Sequence, residues 1–119
     1  MADILIVDDN AFMRNTIKGV LSQAGFNIVG EAADGVEAVS TYATARPDLV
    51  TMDITMPNMD GVEALKELLQ QDPGAKVIMV SAMGQESLVV EAVTAGAVDF
   101  VIKPFEPDRV IDAVNKALA

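Results

Sequence analysis

Apolar residues along this chain follow two alternating patterns. Short runs, Ile4-Leu5-Ile6-Val7, Leu49-Val50-Thr51-Met52, Val77-Ile78-Met79-Val80 and Phe100-Val101-Ile102, are almost wholly apolar and do not alternate with polar residues. That is the signature of strands covered by helices on both faces of a parallel sheet. Between the runs, apolar residues recur every three or four positions. Met13, Ile17, Val20, Leu21 and Ala24 form one such stripe, with Arg14, Lys18 and Gln23 off it, Asn10 placed to cap the helix and Gly25 to stop it.

The alternation predicts strands over residues 4–7, 27–31, 48–52, 76–80 and 98–102. Helices are predicted over 35–45, 62–71 and 85–95 besides the first. A last helix starts at Asp108, with Val110, Ile111, Val114, Ala117 and Leu118 as its buried stripe. Five βα units follow, too few for a closed barrel, so the fold class is α/β: an open, doubly wound parallel sheet. The common order for five such strands is the flavodoxin-like 2-1-3-4-5, which is taken from known folds rather than from this chain.

Each of the four runs stops on a residue capable of chemistry: Asp8-Asp9, Asp53, Ser81 and Lys103. In an open parallel sheet the ligand site lies just outside the carboxyl ends of the strands, so all four endings converge on one edge. Three carboxylates with no histidine or cysteine anywhere in the chain make an all-oxygen set suited to a hard cation such as Mg²⁺. Two carboxylates ~5 Å apart at an effective dielectric of ~20 repel by about 3 kcal/mol, a cost that points to function. The plainer reading is that the acids cap a helix and end a strand. Lys103, between Val101-Ile102 and Pro104, tips the balance because its ammonium can pair with the acids or with a phosphate. Ser81 taken singly is ordinary turn chemistry, Phe100 an ordinary core residue, and Pro57, Gly61 and Gly96 ordinary turn residues.

Composition narrows the function further. The 119 residues fit a single domain over 1–119, with no linker, tail or repeat in view. Eight basic against eighteen acidic residues give a net charge of −10, which disfavours direct nucleic-acid binding. The absence of cysteine rules out disulfides and thiol chemistry. No run approaches membrane-spanning length and the start has no basic leader, so a cytoplasmic protein without membrane insertion is expected.

Taken together, Asp8-Asp9, Asp53, Ser81 and Lys103-Pro104, with Met56-Pro57 and Asp60-Gly61, resemble the receiver domain of two-component response regulators. The likeness spans essentially the whole chain. Through Ala11-Phe12-Met13-Arg14, the segment from Met52 to Pro57, Ser81-Ala82-Met83-Gly84 and Lys103-Pro104-Phe105 it is most similar to the single-domain chemotaxis type. The resemblance implies that Asp53 accepts a phosphoryl group from a sensor histidine kinase. It implies that Asp9 and Asp53 bind Mg²⁺ directly, Asp8 through water, and the backbone carbonyl of Thr55 as well. Lys103 then offsets charge on the transferring group, in line with general phosphoryl-transfer chemistry.

By the same resemblance Ser81 turns toward the new phosphoryl group and Phe100 moves inward as a switch. Many receivers carry threonine and tyrosine at these two positions. A cis Lys103-Pro104 peptide is implied too. The output surface implied is the last two helices and the fifth strand, with Val89, Val90, Phe100 and Val101 as candidates. Leu88, Val89, Val90, Ala92, Val93 and Ala95 make the fourth helix apolar over more than one stripe, which means deep burial or a face left for a partner.

The leading expectation is thus a monomeric phosphorylation switch, not a turnover enzyme, that binds the flagellar motor switch protein; a separate phosphatase partner is compatible with it. A phosphorelay intermediate, or a receiver taken from a longer transcription regulator, is the alternative. An aspartyl phosphatase of the haloacid dehalogenase class fits poorly, since Asp8-Asp9-Asn10 lacks its Asp-x-Asp spacing. A flavin carrier fits poorly because the first loop is acidic and lacks glycine.

Overall fold

A computed structural model describes residues 1–119. Strands β1 (Asp3–Val7), β2 (Asn27–Ala32), β3 (Leu49–Asp53), β4 (Val77–Ala82) and β5 (Asp99–Lys103) alternate with helices α1 (Ala11–Gln23), α2 (Gly35–Ala45), α3 (Gly61–Gln71), α4 (Glu86–Ala95) and α5 (Pro107–Leu118). All strand pairs are parallel and the order is β2-β1-β3-β4-β5. Every expected element is present. Strands β2 to β5 end one or two residues later than the apolar runs indicated, because ladder pairing continues through polar ends: Ser81 pairs Ile102 and Ala82 pairs Lys103.

Side chains of successive strand residues point to opposite faces, and the two faces have separate cores. Leu5, Val7, Val50, Met52, Val77 and Met79 pack with α2, α3 and α4, while Ile4, Ile6, Leu49, Ile78 and Val101 pack with α1 and α5. Central strands β1, β3 and β4 are buried on both sides, which explains their lack of alternation. The α1 stripe is narrower than its sequence pattern: Ile17 and Leu21 are buried, Met13 and Val20 half-buried, and Ala24 exposed beyond the end of the helix.

The helix starts are built locally. Asn10 Oδ1 accepts from Met13 N at 3.1 Å, Asp34 Oδ1 from Glu37 N at 2.8 Å, and Asp60 with Glu63 forms a reciprocal capping box. Pro107 opens α5, where its missing N–H has no helical partner to lose. Helices α4 and α5 start without a side-chain capping bond, from Gln85 and Glu106. No helix is long and apolar enough to cross a membrane.

Candidate functional site at the carboxyl ends of the strands

Parallel pairing carries the four chemically capable endings to one sheet edge. Asp8 and Asp9 follow β1 directly, Asp53 is the last residue of β3, Ser81 lies near the end of β4, and Lys103 ends β5. Register fixes their heights: Val7 pairs Met52 and Asp53 pairs Val80, so Ser81 stands one residue beyond the level of Asp53. The site therefore straddles β1 and β3, where the direction of winding reverses.

Lys103 Nζ donates to Asp8 Oδ2 at 3.1 Å and to Asp53 Oδ1 at 3.3 Å. Backbone donors hold both carboxylates: Asn10 N gives 2.8 Å to Asp8 Oδ1, and Ile54 N gives 3.0 Å to Asp53 Oδ1. Asp53 Oδ2 carries neither of the Asp53 bonds. Asp8 is 1% exposed and Asp53 7%, whereas Asp9 lies open to solvent. Burial, then the charge of Asp8, pushes the Asp53 carboxyl up to about 6, with Lys103 and the Ile54 N–H opposing the shift. Burial pulls the Lys103 ammonium down, but Asp53 and Asp8 outweigh it and the net shift is upward. The cation is thereby kept charged.

Carboxylate oxygens from Asp8, Asp9 and Asp53 lie within 4.8 Å of one another. Small movements of these side chains would bring one oxygen of each to a shared hard cation. Three carboxylates against one ammonium leave two negative charges, matched to a divalent cation. The donor set is all oxygen, as expected from the sequence, and the residues fit a metal.

Ser81 is completely buried, and its hydroxyl has no hydrogen-bond partner. Phe100 is half-buried on β5. Both line a cavity of about 590 Å³ bounded by the loop after β4, α4 and β5, together with Val89, Val90, Val93 and Ile102. The surface expectation needs correction here. Val89 is 8% and Val101 1% exposed, because they point into the two cores; the exposed apolar side chains around the cavity are Met83 in the loop after β4, Val90 at 64% and Val93 on α4, and Ile102 on β5. The Lys103-Pro104 peptide is cis.

Three further residues have contacts at the site that their place in the sequence does not reveal. Gly61 is more than a turn glycine: it is the first residue of α3, and a Cβ there would overlap the backbone carbonyl of Asp53. Its N–H donates to Ile54 O at 2.7 Å. Arg14, off the apolar stripe of α1, donates to Asp8 O at 2.7 Å and meets Glu31 at 3.3 Å. Gln85, taken as the start of a helix, bonds across two loops: its Oε1 accepts from Ala82 N at 2.7 Å and its Nε2 donates to Thr55 Oγ1 at 2.6 Å. Glutamine is not among the preferred N-caps, which marks Gln85 in the sequence, and Gly61 and Arg14 stand in the segments that carry the family resemblance.

Comparison with known proteins agrees with this geometry. The family model for the response regulator receiver domain matches residues 4–115. The chain is 59% identical over 115 residues to chemotaxis protein CheY of Bacillus subtilis, covering 97% of this chain and 96% of that protein. It is 55% identical over 113 residues to CheY of Thermotoga maritima, covering 95% and 94%. Among solved structures, CheY in the CheX-CheY-BeF3-Mg complex of Borrelia burgdorferi superposes with a TM-score of 0.95 at 40% identity, over 99% of this chain and 90% of that one. The response regulator domain of Thermotoga maritima CheB gives 0.91 at 38%, over 99% and 96%. The strand order 2-1-3-4-5 is itself documented for flavodoxin and CheY. With the acidic edge, the paired lysine and the register all in place, the chain belongs to the response regulator receiver family, similar over nearly its full length to CheY.

Proposed function

We propose that this chain is a phosphorylation-controlled switch in which Asp53 is the phosphoacceptor. The observation that carries the reading is the position of Lys103, whose ammonium bonds the buried acceptor carboxylate and Asp8 together at the strand ends. Asp53 Oδ2 attacks phosphorus, and the bond from phosphorus to the imidazole nitrogen of a sensor kinase phosphohistidine breaks, its electron pair returning to that nitrogen. Lys103 balances charge on the transferred group, and Ile54 N holds the second carboxylate oxygen. Asp8, Asp9 and Asp53, with the backbone carbonyl of Thr55, would hold Mg²⁺. The ion, when bound, neutralises charge on the phosphoryl oxygens.

Ser81 supplies a buried hydroxyl without a partner, and the cavity it shares with Phe100 gives that ring room to move inward. The output face in this reading is α4, β5 and α5, carried by Val90, Val93 and Ile102 rather than by Val89 and Val101. Similarity to chemotaxis proteins CheY supports a chemotaxis role; the partner in this proposal is the flagellar motor switch protein.

The test is to mix the protein with Mg²⁺ and acetyl phosphate and weigh it intact. A phosphoryl adduct is expected on wild type and none on Asp53→Asn; an adduct on both would mean that Asp53 is not the acceptor. Binding of the adduct to a motor-switch peptide separates the chemotaxis role from a phosphorelay, in which the group passes to a histidine phosphotransfer protein instead.

A further inference from the structure

Gln85 makes a poor helix cap here for a structural reason. Its amide is committed away from α4, with Oε1 accepting from Ala82 N at 2.7 Å and Nε2 donating to Thr55 Oγ1 at 2.6 Å. Ala82 is the residue after Ser81, and Thr55 lies two residues after Asp53. One side chain therefore joins the loop after β4 to the loop after β3, beyond the last ladder pair of those strands, Asp53 with Val80. Gly84, at φ 89°, makes the turn that brings Gln85 back over the end of its own strand. Both bonds are short and face solvent, on a residue that is itself half-buried.

The two residues tied by this amide flank the two groups that matter most to the proposed chemistry. Ser81 Oγ is buried without a partner, so its placement is not set by any bond of its own. Placement comes instead from the backbone, which pairs with β5 on one side through Ser81 with Ile102 and Ala82 with Lys103, and which Gln85 ties on the other side toward the loop after β3. Thr55 Oγ1 accepts from Gln85, which uses one of its lone pairs and leaves its own O–H free to donate.

We infer that Gln85 is a positioning residue of the phosphoryl site: its amide clasps Ala82 to Thr55 and so sets the separation of the end of β4, which carries Ser81, from the loop that follows Asp53. The inference rests on the function proposed above. With the clasp closed, the serine loop stays in register with the acceptor loop; with it open, the loop after β4 moves independently of Asp53. The adduct's rate of loss depends on that register, because the groups around the phosphoryl oxygens come from both loops.

The experiment uses the full chain and three variants: Gln85→Met, which keeps length and removes both bonds, Thr55→Val, which keeps shape and removes the acceptor, and the double variant. Hydrogen exchange of the Ala82 amide is read without any phosphodonor. Adduct decay is then followed by intact mass after loading with Mg²⁺ and acetyl phosphate and removing the donor. Gln85→Met is expected to speed Ala82 exchange about three- to tenfold, the range of one ordinary net hydrogen bond. Each single variant is expected to change adduct decay by a similar factor, and the double variant by no more than either single one, because all three break the same link.

Unchanged Ala82 exchange in Gln85→Met would overturn the clasp. Decay equal to wild type in every variant, or single effects that multiply in the double variant, would overturn the positioning role while leaving the proposed function intact. Absence of any adduct on wild type would overturn the proposed function and the positioning role with it, a result distinct from the other two.

Discussion

Lys103 and Asp53 are 50 residues apart in sequence and 3.3 Å apart in space, nitrogen to Oδ1. The pair forms because β4 lies between β3 and β5 and all three strands run the same way, so that their final residues share one edge. Replacing Lys103 by Met keeps the stem and removes the cation, leaving Asp53 facing Asp8 without compensation. Phosphorylation by acetyl phosphate should slow at least about tenfold, corresponding to about 1.4 kcal/mol of lost charge stabilisation. An unchanged rate of adduct formation by intact mass would show that the lysine has no part in the transfer.

The same burial makes stability depend on pH. The Asp53 carboxyl is raised from 3.8 to about 6, so the folded state holds its proton more tightly than the unfolded chain. The associated stabilisation is fully present below about pH 4 and is lost as pH rises through about 6. Asp53→Asn resembles the protonated form and escapes that loss. In EDTA the variant should gain on wild type between pH 4 and 7, reaching on the order of 3 kcal/mol, the value of a two-unit shift. Urea unfolding at several pH values checks this, and parallel curves for the two proteins would contradict the burial of a charged Asp53.

Mg²⁺ should reverse the penalty by binding the folded state only. At a hundredfold excess over the dissociation constant, stabilisation of about 2.7 kcal/mol is expected. Asp9→Asn removes one carboxylate from the set within 4.8 Å, so it should raise the Mg²⁺-free melting temperature and reduce the shift that Mg²⁺ produces. Thermal scans with Mg²⁺ and with EDTA measure both effects. If wild type and variant melt alike in each, the three acids do not act together.

Gly61 tests how closely α3 must approach the acceptor. Its hydrogen bond to Ile54 O, with the backbone of Asp53 beneath, leaves no room for a Cβ. Gly61→Ala should destabilise the protein by about 1–3 kcal/mol through overpacking, and should also impair phosphorylation of Asp53 by displacing its backbone. A variant with normal stability and normal adduct yield would show that the approach relaxes freely.

Tyr42, the one tyrosine of the chain, donates its hydroxyl to Asp72 Oδ2 at 2.8 Å between α2 and the end of α3. Burial, then this bond and the Asp72 charge, push the phenol up to about 12. A raised phenol contributes stability that is present below pH 10 and lost as pH rises through 12. Absorbance at alkaline pH should show Tyr42 ionising later than free tyrosine, and Asp72→Asn should bring its midpoint down. A midpoint near 10 in the folded wild type would refute the contact.

Much of the architecture was legible because burial on two sheet faces leaves unbroken apolar runs, and burial on one helix face leaves a stripe. Asp8, Asp9, Asp53 and Lys103 could be named as a cluster since each ends a run, and parallel connectivity brings run ends together. Tertiary packing decided the rest. Val89 and Val90 are equivalent letters in an apolar helix, and only the seating of α4 makes Val89 core and Val90 surface. Gly61 reads as a turn residue until α3 is laid against β3, and Gln85 reads as a helix start until two loops remote in sequence meet across its amide. The order of residues alone specified which side chains carry charge and, to within one or two positions, where each strand stops. Distances, and with them the Lys103 bridge and the raised Asp53 carboxyl, were set only when the strands paired in register and excluded water from their ends.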